Sequence, residues 1–320
     1  MIISQIKAGL GNQMFQYAAA RNLSLKHKTE LKLDTLDFER DHFRKYGLDS
    51  FNITATIANS HDIFNISKRD GVRCFVYKKF GRNAEALVDS VFTKLNFPSY
   101  YATRYYDYNP QLPTQPPLLI GNIASQRFFH FDAEVLTLPD NIIMAGTWIS
   151  ERYFLIIRKT LLKEFCVKHP LTGKNLDLSK KIRSTNSIAI HLRRTDKVNN
   201  PYHKASGISF CKKATQHILA KVKDAHFYIF SDDIAWAKKN ITFLNNANFV
   251  DHNDDLHNYE DLRLMKQCKH QIIAESSFSW WAAWLNDNPK KIVISPPASR
   301  WISLDSFKTD DILPSEWLVL

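Results

Sequence analysis

Four short apolar runs in the carboxyl-terminal half each stop at polar residues: 187–193, 227–230, 272–274 and 291–295, the last halted by Pro296-Pro297. Runs of this length bounded by turn residues predict buried strands. The segments between them, 210–222, 259–268 and 278–285, carry apolar residues at helical spacing. Strands alternating with helices predict a parallel sheet covered on both faces, and such sheets hold ligands at the carboxyl ends of their strands. The amino-terminal half opens in the same way, with an apolar run at 1–6, a glycine-containing loop and a helix over about 12–26. Its middle has no clear period. Residues 97–117 are rich in Tyr and Pro and read as loop, while 172–183 are polar and precede the second α/β unit.

A chain of 320 residues, 44% of them hydrophobic, can fill two cores. The polar stretch sets the expected division into an amino-terminal domain, 1–175, and a carboxyl-terminal domain, 176–320. The first six residues read as a buried strand rather than a secretory segment. No stretch reaches the roughly 20 apolar residues needed to cross a bilayer. Cys74, Cys166, Cys211 and Cys268 stand apart without a Cys-x-x-Cys pair, which fits free thiols in a reducing compartment. A cytoplasmic protein is expected. Its formal net charge of +11 attracts anions, but no run of five basic residues marks a nucleic-acid stripe.

Candidate chemistry lies at the predicted strand ends. In His191-Leu192-Arg193-Arg194-Thr195-Asp196, strand geometry would put His191 and Arg193 on one face, and Arg194 with Asp196 on the other. Arg193 would then fork onto a diphosphate while Asp196 orients Arg194; a solvated surface cluster is the plain alternative. Ala8-Gly9-Leu10-Gly11-Asn12-Gln13 leads into the first helix, where free amides favour an anion, or is simply a tight turn. In Ser231-Asp232-Asp233, adjacent carboxylates diverge, so helix capping by Ser231 or Asp232, or a ribose contact, is expected rather than a metal site. Ser276-Ser277-Phe278 begins a helix whose first turn suits phosphate. Trp280, Trp281 and Trp284 behind it read as core more readily than as a sugar platform. Asp261 lies on the preceding helix and faces the same crevice if the sheet is parallel.

These segments, in this order, resemble glycosyltransferase family 11, the galactoside 2-alpha-L-fucosyltransferases. The family's Gly-Gly-Leu-Gly-Asn-Gln signature appears with Ala8 in place of the first glycine. The His-x-Arg-Arg-x-Asp motif is complete at 191–196, the Ser-Asp-Asp strand end stands at 231–233, and the Ser-Ser-Phe-Ser-Trp-Trp segment at 276–281 follows Glu275 where the family has Asn. Residues 148–154 and Ser315-Glu316-Trp317 also look like family features. The resemblance implies an α/β, GT-B-like fold of two facing Rossmann-like domains with parallel sheets. It also implies an inverting fucosyl transfer from GDP-fucose, with no metal or further cofactor, to a terminal galactoside on a glycan or lipid-linked oligosaccharide of O-antigen type. Arg193 would be catalytic at the β-phosphate. His191 and Asp261 would contact the nucleoside, Ser276, Ser277 and Phe278 the phosphate, and Asn12 the phosphate or fucose from the other domain. The positive charge of the chain would hold it peripherally against the anionic inner leaflet, where lipid-linked glycans are built. Glu275, a charge beside the phosphate cradle, is expected to turn away. Another nucleotide sugar or fucosyl linkage, or a non-catalytic glycan-binding protein, are the competing readings.

Overall fold

The opening apolar run forms β1 (Ile2–Gln5), buried at all four positions as a strand covered on both faces must be. In the computed structural model, which describes residues 1–40, 44–94, 119–126, 130–195, 207–301 and 309–320, β1 lies near the middle of the first of two compact units. That unit comprises Met1–Leu48 and Ile53–Glu164; the second comprises Asp49–Asn52 and Phe165–Leu320.

In the first unit β1 leads into α1 (Leu10–His27), followed by β2 (Leu31–Asp34), α2 (Leu36–Arg40) and β3 (Thr56–Ile57). Three helices, α3 (Ser60–Ile66), α4 (Lys68–Phe80) and α5 (Arg82–Lys94), pack in succession. They precede β4 (Leu119–Ile120), β5 (Ile123–Ser125), β6 (Ile142–Ala145) and α6 (Arg158–Glu164). The sheet order is β3-β2-β1-β6-β5-β4, parallel except for the β4–β5 pair. The buried end of α6 is tied to α1 by Glu164, which pairs with Arg21 at 2.8 Å and accepts the Tyr17 hydroxyl at 2.6 Å. Burial and that carboxylate push the Tyr17 hydroxyl above its ordinary pKa.

The glycine motif between β1 and α1 is held by its own glutamines. Gln13, fully buried, donates to the carbonyls of Ala8 and Lys45, both at 2.8 Å, and accepts the Gly47 amide at 3.0 Å. Gln16 accepts the Lys7 amide at 3.0 Å. The loop so fixed puts Ala8 at φ 64°, in the left-handed region where a Cβ is strained. The glycine of the family signature thus has a conformational reason, and Ala8 departs from it at a cost.

The second unit runs α7 (Gly173–Ser184), β7 (Asn186–Leu192), α8 (Ile208–Leu219), β8 (Ala225–Ser231), α9 (Ile234–Asn240), β9 (Ala247–Phe249), α10 (Asn258–Gln267), β10 (His270–Ile272), α11 (Ser277–Leu285), β11 (Val293–Ser295) and β12 (Leu318–Val319). All six strands are parallel, in the order β12-β11-β10-β7-β8-β9. Ile188, Ile190, Ile229, Ile272 and Ile294 pack on Cys211, Ala214 and Ile218 of α8. Residues 172–183, expected only as a polar stretch, form α7. Its sole buried positions are Ser179 and Ile182, a stripe too narrow to show as a helical period. The predicted strands and helices of this half otherwise appear within a few residues of the expected bounds. Residues 97–117 lie outside the described residues.

Replacing Ala8 by Gly should relieve the left-handed strain and raise stability by roughly 0.5–1 kcal/mol, less than the full relief because the unfolded chain gains freedom. The thermal unfolding midpoint should rise by a few degrees; an unchanged or lower midpoint would mean that the loop does not hold this conformation.

Candidate active site

The strand order of the second unit reverses between β7 and β10, so the crevice outside their carboxyl ends is the place where a doubly wound sheet binds its ligand. Two of the predicted segments meet there. His191, at the end of β7 and only 6% exposed, packs its ring against Phe278 in the first turn of α11, with centroids 5.6 Å apart and planes tilted by 50°. Ser276 is the N-cap of α11, extended at φ −146° and ψ 124°, and its hydroxyl makes no cap hydrogen bond. The first-turn amides of Ser277 and Phe278 therefore have no side-chain cap, an arrangement suited to an anion.

Behind this turn the helix is anchored in the core. Trp280 and Trp281 are fully buried and Trp284 nearly so. Trp280 donates its indole N–H to the Ile312 carbonyl at 2.8 Å and lies against Trp317, while Trp281 meets Phe165 edge-on at 5.1 Å. The tryptophans are packing residues.

The arginine motif departs in detail from its sequence reading. β7 ends at Leu192, so the pleat does not extend to Arg193, and the loop is set by Asp232 instead. Asp232 accepts the Arg194 amide at 2.8 Å, the Thr195 amide at 3.2 Å and the Thr195 hydroxyl at 2.7 Å, and its Oδ2 lies 3.4 Å from Arg193 Nε. Asp196, the expected partner of Arg194, lies outside the described residues. Arg194 stacks its guanidinium on Trp236 at 3.5 Å, with Nε 3.8 Å from Asp233. The cap of α9 is neither Ser231 nor Asp232 but Asp233, whose Oδ1 accepts the Trp236 amide at 3.0 Å. The Ser231 hydroxyl accepts the Asp233 amide at 3.0 Å. Asp232 and Asp233 are thus committed to different partners, and among the described residues no three His, Cys, Asp or Glu side chains converge as a metal site.

Glu275, fully buried, turns its carboxylate to Arg300 Nε at 3.0 Å, so its charge is neutralised by a residue beyond β11. Asp261, in the first turn of α10, accepts Asn253 Nδ2 at 2.6 Å, and Asn253 is bonded in turn to Asn175. Burial is the main cause that pushes the Asp261 carboxyl up to about 6. Asn12 sits in the first turn of α1 in the other unit, half-buried, its amide donating to the Gly9 carbonyl at 2.9 Å.

A profile described as Glycosyl transferase family 11 matches residues 118–320. The chain belongs to this family. Two Escherichia coli relatives match along nearly their full length. An alpha-1,2-colitosyltransferase is 29% identical, covering 99% of this chain and 98% of its own, and the O-antigen biosynthesis glycosyltransferase WbnK is 30% identical, covering 94% of each. The mouse galactoside alpha-(1,2)-fucosyltransferase 1 is 23% identical over 66% of this chain and 58% of its own. This family 11 glycosyltransferase accordingly carries two Rossmann-like α/β units in one chain, the make-up of the GT-B class.

Within it, a further feature went unread as a site in the sequence. Just past β6, neighbour of β1, the fully buried Trp148 adopts φ 56°, an unusual conformation for a bulky residue. Gln126 Oε1 receives the amides of Thr147 at 2.6 Å and Trp148 at 3.3 Å. A Cβ on Gly146 would come within 2.7 Å of both the Trp148 ring and Gln126, so only glycine fits. The available signal was Gly146 closing an apolar run directly before residues 147 and 148. Strained backbone thus stands at the carboxyl ends of both central strands of the first unit, at Ala8 and at Trp148.

Because Asp261 has its folded-state pKa raised from 3.8 to about 6, the folded protein binds the extra proton in that window, and stability falls as pH rises from about 4 to about 6. Asp261→Asn should match wild type near pH 4 and exceed it at pH 7 by on the order of 1–3 kcal/mol. Urea unfolding of both proteins across this range checks it; a difference independent of pH would mean that the carboxyl titrates as an ordinary aspartate.

Proposed function

We propose that this chain is an inverting α-1,2-fucosyltransferase that takes L-fucose from GDP-β-L-fucose to a terminal galactoside, in the assembly of a bacterial surface polysaccharide of O-antigen type. The observation that carries the reading is the packing of His191, two residues before Arg193, against Phe278 in the uncapped first turn of α11, with Arg193 on a loop fixed by Asp232. A diphosphate leaving group needs just such a set of donors, fixed before the reaction begins.

In the reaction, an acceptor hydroxyl oxygen bonds to the anomeric carbon from the face opposite the diphosphate. The bond from that carbon to the phosphate oxygen breaks, its electron pair stays with GDP, and the acceptor proton passes to water or a base. Arg193 and the amides of Ser277 and Phe278 stabilise the charge gathering on the β-phosphate. His191, stacked on Phe278, and Asp261 take the nucleoside, where a half-buried carboxylate gains the N–H partners that guanine offers. Asn12, in the glycine motif, is assigned to the sugar or phosphate. The donor needs no metal in this reading, and the acceptor is a galactoside presented on a glycan or lipid carrier, which puts the enzyme at the cytoplasmic side of an anionic membrane.

A second reading shares every step but replaces fucose by colitose in the donor. It is favoured by the colitosyltransferase relative, which matches this chain from end to end. Competition between the two nucleotide sugars separates the readings.

Purified protein should release GDP from GDP-fucose in EDTA, faster with a β-galactoside such as lactose present. Arg193→Ala should lower that rate by roughly 100- to 1000-fold with unchanged circular dichroism. Wild-type turnover from Arg193→Ala would remove Arg193 from the leaving-group site, and failure to bind GDP at all would sink the reading.

A further inference from the structure

At the opposite pole of the second unit from the proposed donor crevice, the turns that lead into β7, β8, β10 and β11 surround a concave surface of about 780 Å³. Its charge is one-sided. Arg183, Lys221, Lys223, Lys266, Lys269 and Lys290 line it, against the single carboxylate of Asp287. Among the described residues none of the six cations has a carboxylate at ion-pair distance. Lys269 Nζ is 2.9 Å from Asn186 Oδ1, and Arg183 Nε is 3.2 Å from Gln267 Oε1, so both cations are positioned by neutral groups.

Helix ends explain only part of this cluster. Cations in the last turn of a helix answer its partial negative charge, which covers Arg183 on α7 and Lys266 on α10. Lys221, Lys223, Lys269 and Lys290 lie beyond the last turns. The carbonyls at the ends of α10 and α11 are already satisfied by other groups. Cys268 O accepts from Asn286 and Gln271, Lys269 O from Asn288, and the carbonyls of Ala283 and Asn286 from Lys291 Nζ. Lys221, Lys223 and Lys290 are exposed and are left to face solvent beside the other cations, where like charges repel unless an anion joins them.

We propose that this basic hollow is the surface by which the protein docks on anionic lipid headgroups. The inference deepens the membrane-contact part of the function proposed above, on which it rests, by assigning the face that makes the contact. Several features favour a bilayer over one small soluble anion. The cations are spread around an open hollow rather than converging on a point, and five of the six are lysines, flexible point charges that follow charge density rather than bidentate forks that read a shape. Leu219, half exposed at the end of α8, adds an exposed apolar side chain two residues before Lys221. Docking through this pole leaves the carboxyl ends of β7 and β10 uncovered.

Each cation near an anionic leaflet contributes about a fivefold gain in binding. Wild-type protein should co-sediment at low salt with phosphatidylglycerol vesicles and not with phosphatidylcholine vesicles. The K221E/K223E/K290E variant should bind at least about 100-fold more weakly, while K159E/K163E/K168E, with the same charge change on exposed lysines elsewhere, should lose far less. GDP release to soluble acceptor should be the same in both variants. Equal losses in the two variants would reduce the effect to net charge, and absent sedimentation of wild type would overturn the proposal, as would inorganic pyrophosphate binding lost in K221E/K223E/K290E without any vesicle dependence. Inactivity toward GDP-fucose with vesicle binding intact would instead sink the enzymatic reading and leave this face standing.

Discussion

Two adjacent arginines at the end of a strand repel each other and have no pleat to direct them. What makes a site of them is one carboxylate. Asp232 gathers two backbone amides and a hydroxyl from the facing loop and lies beside Arg193 Nε, so it fixes loop path and cation together. Its own place follows from the pairing of β7 with β8, which sets Leu192 opposite Ser231. A slip of that register would carry Asp232 away from the arginines and exchange the strand's side chains between the two covered faces of the sheet. The electrostatics of the crevice thus depend on a ladder of backbone hydrogen bonds made several residues earlier.

The other wall of the crevice depends on packing. The uncapped first turn of α11 can keep its place only if the rest of the helix cannot move, and three buried tryptophans with Phe165 and Trp317 provide that resistance. Large aromatic surfaces packed edge-on and stacked leave few alternative arrangements of similar energy. Glu275, which would spoil the electrostatics of a phosphate cradle as a lone charge, is consistent with this arrangement because Arg300 answers it from beyond the neighbouring strand.

The parts of this architecture that were legible in the sequence are those determined locally. Strands β7, β8 and β11 are buried on both faces and so appear as apolar runs, β10 is marked only by the apolar residues 272–274 at its end, and the helices between them show a clear stripe. The middle of the first unit did not show itself, because β3 and β4 have two residues each and β5 three, too few for a period to register. In 231–233 all three residues are able to cap a helix, and the choice of Asp233 rests on where β8 stops, a matter of long-range pairing. Arg194 on Trp236 is likewise a contact between elements, which no local spacing encodes. Ala8 is the converse case. The motif named the position, but only the backbone showed why a glycine belongs there.

The placement of β10 has a consequence for how the chain comes to be made. His270 pairs with Ile188, so the strand that completes the centre of the second sheet is supplied from far along the sequence, after β8 and β9 have taken the other flank. Closing so long a loop is slow, and until it closes one side of β7 offers unpaired backbone groups to any passing strand. During synthesis from the amino terminus, the edge left open longest is the one that becomes the crevice. The demand that a ligand site lie at a reversal of strand order is therefore also a demand on biosynthesis, since the side of β7 that borders the crevice stays open until β10 has been made.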